Sequence, residues 1–273
     1  MTRIVSRSVF VVLAAMTFTS CDAIENLFGK KKKEPDPDLS LSLLGCLTAG
    51  GSLSTSQMPP AVPSVRPWLT GVSVAGIPDL AGLIDAQLTG IALTAAQQFN
   101  VRPTIRYFDE KGSPNAFATP VNTEGSTHGT VRIGVNLVAS ETRRFIATDY
   151  GRTRGYSYSV TAVIAHELAH ILQFAQQAAL PTRNTELQAD YLAGWYFSYL
   201  SRVDPNFAPN AGLQDGMRAF FERGDYNFNN AGHHGTPQQR LAAFTEGYNA
   251  RAANVQAAWA GAQQYRQLIG GAQ

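Results

Sequence analysis

Cysteine is almost absent from this chain: among its 273 residues there are two, Cys21 and Cys46. Without a cluster of cysteine and histidine at ligand spacing, nothing points to a structural zinc finger or ribbon. An excess of charge of either sign is missing too. Once Arg3 and Arg7 of the acid-free first twenty residues are set aside, 20 basic side chains face 20 acidic ones. Such a balance gives no electrostatic footprint for nucleic acid. The apolar stretch near the N-terminus, Val9 to Phe18, is about ten residues, too short for a comfortable membrane span. No internal repeat is apparent. What is present is a globular composition, 44% apolar, in a chain long enough for one domain with a real core.

Arg3 and Arg7 ahead of the apolar Val9 to Phe18 stretch have the form of an export signal. Phe18-Thr19-Ser20-Cys21 then resembles a bacterial lipobox, with phenylalanine where leucine is usual. The expectation is a signal peptide over residues 1–20, lipid modification of Cys21, and a tether over residues 21–67. The domain would then be exported and held by lipid at a bacterial membrane, facing the periplasm or the cell exterior. Asp22 resembles an enterobacterial inner-membrane retention signal. Two other readings stand beside this one: a retained anchor, and a secreted protein with a Cys21–Cys46 disulfide. In the lipidated form Cys46, beside Leu43, Leu44 and Leu47, reads as a small buried apolar residue. The tether holds four consecutive lysines, Lys30 to Lys33, which next to a lipid anchor also reach anionic headgroups. A Ser/Gly/Pro-rich run from Gly50 to Pro67 continues it.

The folded domain is expected over residues 68–273, starting near Trp68. Leu80, Leu83, Ile84, Leu88, Ile91 and Ala95 recur at helical spacing within Ile77 to Asn100, with Asp79 as the cap. Val101 to Phe108 reads as a strand, Asp109 to Pro114 as a turn, and Asn115 to Thr119 as a short edge strand. Thr130 to Val138 alternates Val131, Ile133, Val135 and Leu137, the pattern of a strand. Ser157 to about Gln177 and Asn184 to Leu200 read as helices. The remainder reads as mostly helical, broken at Asp204-Pro205 and over Asp225 to Pro237. The order predicts an α+β fold with a small sheet stacked beside a helix that carries the chemistry.

That helix holds His166-Glu167-Leu168-Ala169-His170. Histidines four apart share one helix face, so both imidazoles can grip one zinc ion from the same side. The glutamate between them sits beside the metal, where it can take a proton from a water. A catalytic zinc needs a third protein ligand. Gln173 and Gln176 stand where a Gly and a third His would extend the motif, so that branch is out. The next helix offers Glu186-Leu187-Gln188-Ala189-Asp190, with Glu186 and Asp190 on one face. Glu186 is the candidate third ligand, and Asp190 the candidate acceptor for the Nδ1–H of a ligating histidine. The reverse assignment, Asp190 as ligand, is also open.

These residues resemble the gluzincin peptidases, including the CAAX prenyl endopeptidases and their bacterial membrane and periplasmic relatives. The resemblance rests on Asn115 to Pro120, the strand after it, Ala162 to His170, and Glu186 with Ala189-Asp190. Glu186 to Trp195 followed by His234-Gly235-Thr236-Pro237-Gln238-Gln239-Arg240 is similar to the bacterial neutral zinc metallopeptidases. It spans about Asn115 to Tyr248. Two departures are Ala169, where a glycine is usual, and the Arg/Tyr/Gly-rich Asp149 to Tyr158.

The resemblance implies a membrane-tethered zinc endopeptidase with one Zn²⁺ per chain on His166, His170 and Glu186. Glu167 would be the general base. His234, placed before Gly-Thr-Pro, would be the oxyanion donor, with His233 and Tyr191 as the other candidates. Arg240 would anchor that loop through a carboxylate, Asp190 being one choice. An extended peptide or protein substrate would pair with Asn115, Ala116, Phe117 and Ala118. The alternatives are a zinc-binding lipoprotein that holds peptides or assembles partners without turnover, and a non-peptidase hydrolase or structural lipoprotein. The sequence leaves the oligomeric state open.

Overall fold

Asp79 begins the first long helix as a side-chain cap: its Oδ1 accepts the Gly82 N–H at 3.0 Å, which satisfies one of the donors a helix start leaves open. The computed structural model describes residues 58–111, 114–148, 157–177, 183–205, 207, 209–224, 226 and 234–270. The signal peptide, Cys21, Cys46, nearly all of the tether, the Asp149 to Tyr156 stretch and His233 lie outside them. Helix α1 runs Leu80–Gln98 and buries Leu80, Ile84, Leu88, Ala92 and Ala95, one stripe at three- and four-residue spacing. Asn100, at φ 53°, turns the chain out of the helix into the sheet.

Four strands follow the order β1-β2-β4-β3. They are β1 (Ala61–Val62), β2 (Thr104–Phe108), β3 (Ala116–Thr119) and β4 (Thr130–Gly134). β2 and β4 are parallel, and both edge pairings are antiparallel. Val131 and Ile133 point inward to the core. The α+β class is as expected, with a mixed sheet and seven α-helices among the described residues.

Three expectations need correction. The packed structure begins before Trp68: Ala61 and Val62 pair with β2, and Val65 is fully buried. Asp85 on α1 holds this segment by accepting the Ser64 hydroxyl at 2.5 Å and the Val65 N–H at 3.1 Å. β2 starts at Thr104 rather than Val101, because the Arg102 N–H donates to His128 Nδ1 at 2.8 Å and Pro103 has no N–H to give a ladder. Finally, the strand expected over Thr130 to Val138 stops at Gly134. Val135–Ile146 is helix α2. The Glu110 carboxylate, from the turn after β2, accepts the Asn136 and Leu137 N–H groups at 3.0 and 2.6 Å. That cap starts a helix where the alternating pattern alone reads as strand.

The rest is helical: α3 (Tyr158–Ala175), α4 (Arg183–Val203), α5 (Pro209–Arg223), α6 (Pro237–Ala250) and α7 (Val255–Gly270). Helix α3 is central. Every residue from Tyr158 to Gln173 is buried, and α3 packs against β3, α1, α4 and α5. Asp215 of α5 ties down its start by accepting the Ser157 hydroxyl and the Ser159 N–H, both at 2.8 Å. Helices α4 and α6 cross at two glycines. A Cβ on Gly194 would lie 1.9 Å from the Phe244 carbonyl oxygen, and one on Gly247 would lie 1.8 Å from that of Tyr191. Only glycine permits this backbone approach. Phe197, Phe220 and Phe244 fill the space beside the crossing, with ring centroids 4.9–5.1 Å apart. Among the described residues no helix is long and apolar enough to cross a membrane.

Candidate metal centre

Helical spacing on α3 sets the His166 and His170 rings 4.6 Å apart and nearly perpendicular, with their Nε2 atoms separated by 3.0 Å. Glu186, in the first turn of α4, reaches in from the neighbouring helix. Its Oε2 lies 3.3 Å from His166 Nε2, and its Oε1 lies 3.3 Å from His170 Nε2. All three side chains are buried, and their ligand atoms fall within 4.8 Å of one another. Two neutral-capable imidazoles and one carboxylate, converging in a buried site, form a donor set that can hold a metal ion. Of the two assignments open for the third ligand, the structure brings Glu186 to the nitrogens and sets Asp190 behind them.

Asp190 is fully buried, with its Oδ1 2.8 Å from His166 Nδ1. That contact sets a carboxylate oxygen against the second ring nitrogen of His166 and leaves Nε2 toward Glu186. On its other side Arg240 grips the carboxylate with two parallel bonds, Nε to Oδ2 at 2.8 Å and Nη2 to Oδ1 at 2.7 Å. The same guanidinium donates to the Arg223 carbonyl at 3.3 Å and lies over the Phe220 ring. This is the pairing suggested for Arg240.

His170 has a different support, which sequence reasoning missed. Gln173, one turn on, faces it: Oε1 lies 2.7 Å from His170 Nδ1. The Gln173 amide nitrogen meets two acceptors, the Thr185 carbonyl at 2.9 Å and Gln188 Oε1 at 3.0 Å. Its oxygen therefore faces the ring, and His170 carries its proton on Nδ1. That leaves Nε2 as the lone pair for a metal. The signal was the spacing of three from His170, which puts Gln173 on the same helix face.

His234 joins the group from the segment before α6, with Nδ1 2.8 Å from Glu186 Oε2. Gly235, at φ +101°, lets the chain turn there. Thr236 and Gln239 then close a capping box over Pro237. At 29% side-chain exposure His234 is the most open of these side chains. Tyr191, another candidate, turns the other way: its ring packs at a tilt against Tyr265 of α7, centroids 5.5 Å apart, and its hydroxyl lies beside Gly261.

Charge and burial compete throughout the cluster. Burial raises the Glu167 pKa, against the opposing pull of the His166 and His170 charges. Burial disfavours a charged His166, but Asp190 and Glu186 outweigh it and raise the pKa to about 9. His170 is raised against burial by Glu186. Glu186 is held well below its ordinary value in spite of burial, by His234, His170 and His166. Asp190 is lowered against burial by Arg240. Protons and a metal ion compete for the same imidazole lone pairs.

The sheet edge nearest α3 is β3, as expected for Asn115 to Thr119. Its four predicted substrate-pairing residues divide into two kinds. The Gly134 N–H donates to the Asn115 carbonyl at 2.9 Å, and by alternation the Phe117 backbone groups also face β4. Ala116 and Ala118 are left with their N–H and C=O directed away from β4. No family model matches the chain, and neither a curated protein nor a solved structure matches it.

Proposed function

We propose that this chain is a zinc-dependent endopeptidase of the gluzincin kind. The observation that carries the reading is the convergence of His166, His170 and Glu186, backed by Asp190–Arg240 on one histidine and Gln173 on the other. Ligand atoms on a tetrahedron with bonds of about 2.0–2.1 Å lie about 3.3–3.4 Å apart. The separations of 3.0, 3.3 and 3.3 Å are compatible with that, and the two imidazole nitrogens favour zinc over metals that prefer six oxygen ligands.

Bound zinc supplies Lewis acidity, which polarises a carbonyl and brings a water proton within reach of a carboxylate at neutral pH. Glu167 accepts that proton as general base and hands it on to the leaving amine. Its raised pKa suits the first step, because the conjugate base of a weaker acid is the better acceptor. His234 reaches the open side of the site and donates to the carbonyl oxygen as charge develops on it. An extended peptide pairs with the edge groups of Ala116 and Ala118. From its N-terminal pattern, the protein is exported and anchored through lipid on Cys21, and it works on peptides or proteins outside the cytoplasm.

The test is metal content and casein cleavage in the wild type and in Glu167→Gln. The reading requires about one zinc per chain in both and cleavage only in the wild type. Zinc in both without cleavage in either favours a peptide-holding or assembly role, and absence of zinc from both refutes the proposal.

A further inference from the structure

At the far edge of the sheet from β3, the pairing of β1 on β2 ends early. Ala61 faces Phe108 and Val62 faces Tyr107, and there Pro63 and the Asp85 bonds to Ser64 and Val65 draw the chain away onto α1. Thr104 donates its N–H to Gly129 on the β4 side, so Ile105, one residue on, faces the vacated edge. Among the described residues no strand lies beside Ile105 on that edge. Its carbonyl accepts only from the neighbouring Arg106 side chain, at 3.0 Å, and its N–H has no partner among the described residues.

A groove of about 700 Å³ opens at this place. Its floor is apolar: Leu88, Ala92 and Ala96 from α1, with Ile133 of β4 and Ile164 of α3. Leu93, on its rim, is 59% exposed. From Leu88 to Gln97 the α1 wall is about 13–14 Å long at 1.5 Å per residue, room for about four extended residues. At the end away from β1 stands Arg102, exposed and without an ion pair among the described residues. Pro103 beside it has no N–H, so Ile105 is the last donor along this edge.

We propose that this groove binds the extended carboxy-terminal tail of a polypeptide. The tail continues the line of β1, pairs with Ile105, and sets alternate apolar side chains on the α1 floor. The direction follows from β1: a chain antiparallel to β2 runs from Tyr107 toward Thr104, so its C-terminus arrives at Arg102. A terminal carboxylate meets the unpaired guanidinium there. An amino terminus, the other possible end, would meet like charge. The site lies on the opposite edge of the sheet from β3 and does not depend on the metal reading.

The probe is a fluorescein-labelled hexapeptide of alternating valine and serine, as the free acid and as the C-terminal amide. Anisotropy is measured on the full chain in a Glu167→Gln background, so that the probe is not consumed. The free acid is expected to bind about two- to fivefold more tightly than the amide, the scale of one exposed ion pair. Arg102→Gln is exposed and should abolish that difference while leaving the thermal unfolding midpoint unchanged. Leu93→Glu, on the rim, should weaken binding of both forms. Equal binding of acid and amide, a difference that survives Arg102→Gln, or no binding of either form would overturn the proposal.

Discussion

Replacing Arg240 with methionine strips a buried carboxylate of its main partner. Asp190 has 0% and Arg240 6% side-chain exposure, so water does not take over the lost bonds. Methionine keeps much of the apolar contact with Phe220 but none of the charge. Breaking a buried ion pair from one side costs about 3–5 kcal/mol, because the other charge stays uncompensated. With an m-value of about 2 kcal/mol/M, the urea midpoint should fall by about 1.5–2.5 M. Asp190→Asn combined with Arg240→Met removes the stranded charge and should recover at least half of that loss. The assay is equilibrium urea unfolding followed by fluorescence on all three proteins at one fixed zinc concentration. A loss below about 1 kcal/mol for Arg240→Met, or no recovery in the double variant, would refute the claim that Asp190 depends on Arg240.

Other outcomes follow from the packing and the charges. Gln173→Ala leaves His170 Nδ1 without its acceptor and should weaken zinc binding about 10–100-fold in a chelator competition. Gly194→Ala drives a Cβ against the Phe244 carbonyl at 1.9 Å and should destabilise by about 1–3 kcal/mol or more, read as a lower melting temperature. Glu141 is held below its ordinary pKa against burial by Arg223 and Arg144. Because the folded-state pKa is the lower one, its stabilisation is present above the unfolded carboxyl value and is lost as pH falls through the folded value. The stability gap between wild type and Glu141→Gln should therefore be constant near neutrality and shrink on acidification. A gap that grows in acid would contradict this.

Long-range contacts account for most of what the chain did not announce. The Thr130 to Val138 alternation is a true period of two, and it failed beyond Gly134 because the cap on α2 is Glu110, 26 residues away from Asn136. The early start of the fold at Ala61 depends on Asp85, which lies twenty or more residues further on. Arg240 could be assigned to Asp190 only as one carboxylate among several, since 50 residues separate them. In the sequence Gln173 shows only as the residue standing where a glycine would extend the motif. Its role depends on Thr185 and Gln188 turning its amide.

By itself the sequence determined what short-range geometry controls. A spacing of four puts His166 with His170, and Glu186 with Asp190, on one helix face, whatever else the chain does. Local chemistry likewise set the Asp79 and Thr236 caps. Tertiary structure decided how those faces meet: which carboxylate reaches the imidazoles, which stands behind them, and that the backbone groups of Ala116 and Ala118, not those of Asn115 and Phe117, turn away from β4. The reason is physical. Helix and strand periods act within a few residues, whereas the crossing at Gly194 and Gly247 and the buried Asp190–Arg240 pair come into being only when distant segments exclude water together.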